Sequence, residues 1–416
     1  MIVLAHPTGN ANVRAVLEAL EQNKLLARFV TTIGWSEVSY PNLAARIRGK
    51  LRRNYRLPAD KIDIHPVREI VRLLAGALRF APLTESESAW ANIDQVYQSL
   101  DREAARRLRH REYGPEVRGV YAYEDCAGQL FTAAAELGLK RIYDLPIAYW
   151  KTAQRLLGEE AERYPDWEPT LGGTRDSPAK LARKTREIAL ADVVICPSNF
   201  VLESLPTAER EKKQTVMAPF GSPTCPDRFG VVDLAPKGNS DTGPLRVLFA
   251  GAMTQRKGLA DVFAAMKLVD SARVHLVVMG SAILPLDWYR EQFADFIYEP
   301  PRPHADVLRL MRSCHVLVLP SIVEGRALVQ QEAMACGLPV IVTRNAGGDD
   351  LIEEERTGFL VPIRSPEAVA EKVNWFAANR SRIAEMGGAA KARALEFTWR
   401  GYGERIAGTI RALIGL

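Results

Sequence analysis

Short apolar runs bounded by turn residues alternate along the chain with longer segments in which apolar residues recur every three or four positions. The first kind reads as buried parallel strands and the second as amphipathic helices, so the alternation predicts βα units feeding parallel sheets. Runs of the first kind are Ile2-Val3-Leu4, Gly119-Val120-Tyr121-Ala122, Val193-Val194-Ile195, Val247-Leu248-Phe249, Leu276-Val277-Val278-Met279, Val316-Leu317-Val318-Leu319 and Val340-Ile341-Val342. That is too many for one small sheet. The best break is Asp233 to Pro244, a polar, Gly- and Pro-rich stretch without periodicity, after which a new strand starts at once. The expectation is one α/β unit over residues 1–235 and a second over 244–395. An amphipathic tail, about 398–416, is expected to form a closing helix that crosses back to the first unit.

At 416 residues, with 47% apolar and 25% charged residues, the chain has the size of two ordinary domains and the composition of a globular protein. The five cysteines are scattered and lack the close spacing of a zinc or redox site, so they read as reduced thiols. The opening Met1 to Ala5 runs directly into His-Pro-Thr-Gly and reads as a first strand rather than a secretory signal. No apolar stretch reaches the ~20 residues of a membrane span. A cytoplasmic protein is expected.

Two loops carry candidate chemistry. The run Pro320-Ser321-Ile322-Val323-Glu324-Gly325-Arg326-Ala327-Leu328-Val329-Gln330-Gln331-Glu332 follows a strand and turns helical from about Leu328 to a Gly337-x-Pro339 stop. A loop at the carboxyl end of a parallel strand, opening a helix, is where α/β sheets hold ligands, and unpaired amides from Gly325 to Val329 would face a phosphate. Glu324 and Glu332 are acceptors suited to sugar and ribose hydroxyls, although two such glutamates alone also fit a solvated surface. The other loop, Gly251 to Gly258, carries Arg256 and Lys257, able to balance a departing diphosphate or simply to form a solvated basic turn.

Together, Gly251…Arg256-Lys257-Gly258, Pro320-Ser321, Glu324-x7-Glu332 running into Ala333-Met334-Ala335-Cys336-Gly337-Leu338-Pro339-Val340, Gly347-Gly348 and Gly358-Phe359-Leu360-Val361-Pro362 resemble the family-4 retaining glycosyltransferases. The match is dense over about 245–365 and looser before it. The resemblance implies a GT-B fold, two Rossmann-like domains facing each other across a cleft. The second would bind a nucleotide-diphosphate sugar and the first a glycan or lipid-linked acceptor. It further implies that Lys257 and Arg256 hold the diphosphate and that Glu332 binds the ribose. Glu324 lies against the donor sugar, and Gly251, Gly325 and the amides of Arg326, Ala327, Leu328 and Val329 complete the donor site. The new bond keeps the old configuration by front-face attack, the leaving phosphate taking the acceptor's proton, with no cofactor and no metal.

Departures from the pattern are Ala252 where the family often has arginine, and Arg326 and Ala327 where it usually has an aromatic residue and glycine. Arg326 is therefore a candidate contact for an acidic or phosphorylated group. Where many members carry a first-domain histidine, this chain has Tyr121, Tyr123 and Glu124. Tyr123 and Glu124, with Gly9, Asn10 and Asn12 of the loop after the first strand, are the acceptor-side candidates; the loop also reads as a plain turn and helix cap.

Arg46, Arg48, Lys50, Arg52, Arg53 and Arg56 lie between Pro41 and Pro58 without an acid, with Leu43, Ile47, Leu51 and Tyr55 at every fourth place. As a helix this segment would suit an anionic membrane surface or an acidic acceptor, or be a plain solvated helix; no nucleic-acid motif accompanies it. The six histidines are dispersed without metal-ligand spacing, and His275 and His315, in apolar runs, read as packed core residues. The absence of any Asp-x-Asp argues against the metal-dependent GT-A class. The sequence points to a hexosyl transferase serving surface polysaccharide or glycolipid assembly, peripheral on a membrane. The alternatives are a GT-B epimerase or hydrolase of sugar nucleotides, a non-catalytic sugar-nucleotide binder, and an NAD-dependent dehydrogenase. The last lacks a Gly-x-Gly-x-x-Gly after any strand.

Overall fold

A computed structural model of the chain describes residues 1–39, 53–223 and 243–415. All seven apolar runs are strands, and every pairing in the two large sheets is parallel. The first sheet contains β1 (Ile2–Ala5), β2 (Leu26–Thr31), β5 (Ile62–Ile64), β6 (Gly119–Tyr123), β7 (Lys140–Asp144), β8 (Val193–Cys196) and β9 (Gln214–Met217), in the order β5-β2-β1-β6-β7-β8-β9. The second contains β10 (Leu245–Ala250), β11 (Val274–Met279), β12 (Phe296–Glu299), β13 (Val316–Leu319), β14 (Val340–Thr343) and β15 (Gly358–Val361), in the order β12-β11-β10-β13-β14-β15. Central strands such as β1, β8, β13 and β14 are buried at every position. Helices cover both faces, so these strands cannot alternate apolar with polar residues, and they read as unbroken apolar runs.

Each sheet reverses its winding direction once, between β1 and β6 in the first and between β10 and β13 in the second. At such a point the connections leave in opposite directions, and a crevice opens outside the carboxyl ends of the strands. This is a GT-B arrangement, two Rossmann-like sheets with facing crevices. The short pair β3 (Trp35–Ser36) and β4 (Asn54–Tyr55) stands outside both sheets.

The chain crosses between the two units more than once. After β7, the helix Trp150–Arg163 leads to Trp167, whose indole is buried in the core of the second unit against Phe263 and Tyr289. The C-terminal helix Trp399–Leu413 packs Tyr402, Ile406 and Ile410 into the core that also holds Val13, Leu17 and Leu20 of the helix Ala11–Gln22. It is pinned there by the Tyr402 hydroxyl, which donates to Asp144 Oδ2 at 3.0 Å, while Tyr121 donates to the same oxygen at 2.7 Å. Burial pushes the Asp144 carboxyl up to about 6 even with these donors. No helix among the described residues is long and apolar enough to cross a membrane.

Several sequence expectations are corrected here. Tyr55 is not part of a helical stripe: it belongs to β4 and is buried, packed edge-on to Phe29. The remainder of that stripe, with Arg46, Arg48, Lys50 and Arg52, lies outside the described residues, as does most of the Gly- and Pro-rich break. His275 is exposed on β11 and His315 precedes β13 half-buried, its Nδ1 accepting from the Arg246 amide at 2.9 Å. Neither is a packed core residue. His275 is the second residue of β11, at the start of the strand, where one side chain escapes the covering helices.

Candidate active site

The two crevices face each other across a cavity of about 980 Å³. Its second-unit wall is made by the loops after β10 and β13. Gly251, directly after β10, has φ +146, and a Cβ there would press on the Lys257 side chain. Glycine thus lets the loop return so that Lys257 lies along the strand end and reaches the cavity. Lys257 Nζ stands 2.6 Å from Glu324 Oε1, and Arg256 Nη1 stands 2.9 Å from the same oxygen. Burial would raise the Glu324 carboxyl, but these two cations outweigh it and hold it below the ordinary glutamate range. Lys257 and Glu324 line the cavity. Arg256 is not on its wall: its Nη1 also donates to the Val323 carbonyl, and Ile322 N bonds its own carbonyl. Arg256 braces the loop that presents Glu324.

The helix Leu328–Ala335 begins at the cavity, with Ala327, Leu328 and Val329 on the wall. Helix geometry leaves the amides of Leu328 and Val329 without intrahelical acceptors, so the positive end of the helix faces the space. The Ala327 amide is already spent on the Ala346 carbonyl at 2.9 Å, which shortens the expected run of free amides. Gly325 does not line the cavity. A Cβ on it would overlap the Pro146 carbonyl of the first unit, and its own carbonyl accepts from Ser198 Oγ at 2.5 Å, so it is a point of close approach between the units.

Arg326 is among the residues lining the cavity, but its side chain is already engaged. Its side chain is fully buried, with Nη1 donating to Asp350 at 2.6 Å and to the Gly347 carbonyl, Nε donating to Gln331, and the guanidinium lying over Phe397. Burial lowers the affinity of this guanidinium for its proton. Its cost is met by the Asp350 charge, and Arg326 fastens the loop to the residues behind it.

One turn into the helix, Glu332 accepts from or pairs with His304 Nε2 at 2.9 Å. His304 opens the helix His304–Arg312, and with Arg302 and Pro303 it forms the outer margin of this wall. His304 is not legible in the sequence as a site residue, because 28 residues separate it from Glu332 and nothing in the local pattern marks it.

The first-unit wall comes from the ends of β1 and β6. Asn10, Ala11 and Asn12 bring the start of the helix Ala11–Gln22 to the cavity, opposite the start of Leu328–Ala335. Asn10 Oδ1 accepts from Thr8 Oγ1 at 3.2 Å and does not cap the helix. Gly9 stays off the wall, at φ +66 above Tyr55, where it shapes the turn. Tyr123 and Glu124 line the cavity with Asp125. Burial lifts the Glu124 carboxyl to about 7 against the pull of the Lys184 ammonium, with Asp125 adding to the rise.

His6, the residue directly after β1, is the main first-unit group that the sequence reading missed. Its position immediately beyond the first apolar run, at the winding reversal, was the available signal. It is buried, packs edge-on to Tyr123 with ring centroids 4.6 Å apart, and lines the cavity. Its Nδ1 accepts from the amides of Gly9 at 2.8 Å and Thr8 at 3.0 Å. Two donors on Nδ1 require the neutral tautomer with its proton on Nε2. Burial first, and then the nearby Arg53 charge, lower its pKa to about 3. Phe220 and Trp399, with centroids 5.9 Å apart, complete the wall where the chain crosses between units.

Comparison with known proteins adds to this geometry. Residues 233–393, which span the second unit, match the family model of glycosyl transferases group 1. The D-inositol 3-phosphate glycosyltransferase of Paenarthrobacter aurescens is 29% identical over 165 residues, covering 37% of this chain and 40% of the relative. The aligned stretch is thus well under two thirds of that protein's length. The sucrose-phosphate synthase of Thermosynechococcus elongatus superposes with a TM-score of 0.67 at 17% identity, covering 100% of this chain and 99% of the other. Anabaena HepE, solved with UDP, gives 0.62 at 14% identity and 99% coverage of each chain. At such identities the superpositions establish a shared GT-B fold.

Proposed function

We propose that this protein is a retaining glycosyltransferase that moves a hexosyl group from a nucleotide-diphosphate sugar to a glycan or glycolipid acceptor in surface polysaccharide assembly. The observation that carries the reading is the facing of two helix starts across one cavity, with Lys257 and Glu324 on the donor side and His6, Asn12 and Glu124 opposite. The group 1 match over 233–393 supports the donor half, and HepE, of the same fold, has been solved with UDP and with UDP-glucose.

In this reading Glu332, steadied by His304, accepts from the ribose hydroxyls. The amides of Leu328 and Val329 and the Lys257 ammonium take the diphosphate, whose charge grows as the sugar bond breaks. The Lys257 ammonium and these amides are the groups that meet that charge, and no divalent ion is invoked. Glu324, kept ionised by Lys257 and Arg256, accepts from hydroxyls of the donor sugar. The Nε2–H of His6 donates to an oxygen of the sugar or of the incoming acceptor. The acceptor oxygen attacks on the face the phosphate leaves, and its proton passes to a phosphate oxygen. The new bond therefore has the configuration of the old one.

The test is incubation with UDP-, GDP- and ADP-hexoses and a panel of sugar and glycolipid acceptors, with products followed by proton NMR. Acceptor-dependent transfer with the donor's anomeric configuration is expected. An inverted product would overturn the retaining step. Release of free sugar or an epimer, independent of acceptor, would favour a sugar-nucleotide hydrolase or epimerase.

A further inference from the structure

The helix Val67–Ala77 sits on the protein with its apolar side outward. A surface helix ordinarily buries its apolar stripe. Here the buried positions are Glu69 and Ala75, whereas Val67, Ile70, Leu74 and Leu78, spaced by three and four residues, stand in solvent, Leu74 at 57% and Leu78 at 78% exposure. Phe80 just beyond the helix and Trp90 beside it are also exposed, and the Arg68 guanidinium lies 4.7 Å from the Trp90 ring centroid. An exposed apolar patch of this kind on a folded unit marks a surface that meets something.

The charge around the patch selects the partner. From Val67 to Trp90 the basic residues are Arg68, Arg72 and Arg79, and the acids are Glu69, the exposed Glu85, and Glu87, which accepts from Ser177. Glu69 is turned inward and neutralised by Arg53 at 2.6 Å and Arg72 at 2.7 Å. The outward face of the helix is thus apolar, with Arg68 and Arg79 at its margin and Glu85 beyond its end. That is the chemistry of a helix lying in the interface of an anionic bilayer, with the leucines among the acyl chains and the arginines at the headgroups. The helix begins just after β5, which runs parallel to β2 and hence to β1 and β6. Its start is therefore at the same edge of the first sheet as His6 and Tyr123.

We propose that the outward face of Val67–Phe80, with Trp90, is a docking surface for an anionic lipid bilayer that sets the acceptor side of the cleft next to the membrane. The proposal rests on the reading of the acceptor as a glycolipid, and it narrows that reading to an acceptor drawn from the bilayer.

The experiment is co-sedimentation of the full chain with vesicles of phosphatidylcholine alone and of phosphatidylcholine mixed with phosphatidylglycerol, at low and high salt. Wild type is expected to sediment with the phosphatidylglycerol vesicles, less so at high salt. Leu74→Glu with Leu78→Glu is expected to lower the bound fraction by at least about tenfold. Leu268→Glu, an exposed leucine remote in sequence, is expected to leave it unchanged. Titration of the same variants with UDP, GDP and ADP reports on the donor site independently, so a failure of the transferase reading would show there without altering the vesicle result. The proposal is overturned if wild type ignores both vesicles or binds them equally. It is also overturned if the double variant still sediments, or if wild type self-associates without lipid and the double variant is monomeric.

Discussion

Replacing Lys257 by alanine separates two roles of one ammonium. In the folded protein Lys257 Nζ is 2.6 Å from a Glu324 carboxylate whose side chain is only 12% exposed, and Arg256 is the remaining cation at 2.9 Å. Stranding a buried charge costs roughly 3–5 kcal/mol; with Arg256 retained, the loss should be the smaller part of that, about 1–3 kcal/mol. The sign with pH follows from the carboxyl. In wild type its pKa is depressed, so its contribution is present above the unfolded value of 4.5 and is lost as pH falls through the folded value. Without Lys257, burial gains weight and the folded pKa rises, so the variant's deficit should be largest near neutrality and close below about pH 4. Adding Glu324→Gln removes the stranded charge and should restore most of the stability. Diphosphate affinity should behave differently. Loss of one charge-assisted contact, about 1.5–3 kcal/mol, predicts a Kd weaker by about 10- to 150-fold, and Glu324→Gln should not recover it. Denaturant melts across pH and calorimetric titration with UDP, GDP and ADP read the two effects. A deficit independent of pH, or one that Glu324→Gln leaves in place, would refute the reasoning about this cluster.

Three further outcomes are expected. His6 has a folded pKa of about 3 against an ordinary 6.5, so its stabilising contribution is complete above 6.5 and is lost on acidification. Between pH 7 and 5, wild type should lose about 2 kcal/mol more stability than His6→Gln, and equal losses in denaturant melts would show that the ring is not held neutral. Gly325→Ala should push the Pro146 loop away and misplace one wall of the cleft against the other; turnover should fall by about a hundredfold with nucleotide affinity within a few-fold of wild type, and full turnover would contradict it. His304→Ala should free Glu332, raising KM for the donor several-fold with little change in kcat, whereas an unchanged KM would remove His304 from the site.

The fold was legible where burial on both faces leaves a strand no choice of residue, as in Val316–Leu319 and Val340–Thr343. It was less so where charge interrupts the run, as in Lys140–Asp144 and Phe296–Glu299, whose ends leave the covered part of the sheet. The donor loops could be read because their residues lie close together in sequence, and Lys257, Glu324 and Glu332 all line the cavity. The partners of Arg326 were not legible, because Asp350, folded against it, lies 24 residues on. His304 and His6 carry no local signature: one is defined by a partner in a distant helix, the other by two amides of a turn. The Val67–Ala77 periodicity likewise states that a helix has an apolar side, but not that this side faces solvent.

The central claim is that the cleft holds a nucleotide diphosphate with its ribose on Glu332, and calorimetric titration of UDP, GDP and ADP into wild type and Glu332→Ala tests it most directly. One of the three should bind wild type, and its Kd should weaken by at least about tenfold in the variant, the loss expected of a carboxylate hydrogen-bonded to hydroxyls. If none of the diphosphates binds, or the bound one is held equally well without Glu332, the donor site described here is contradicted.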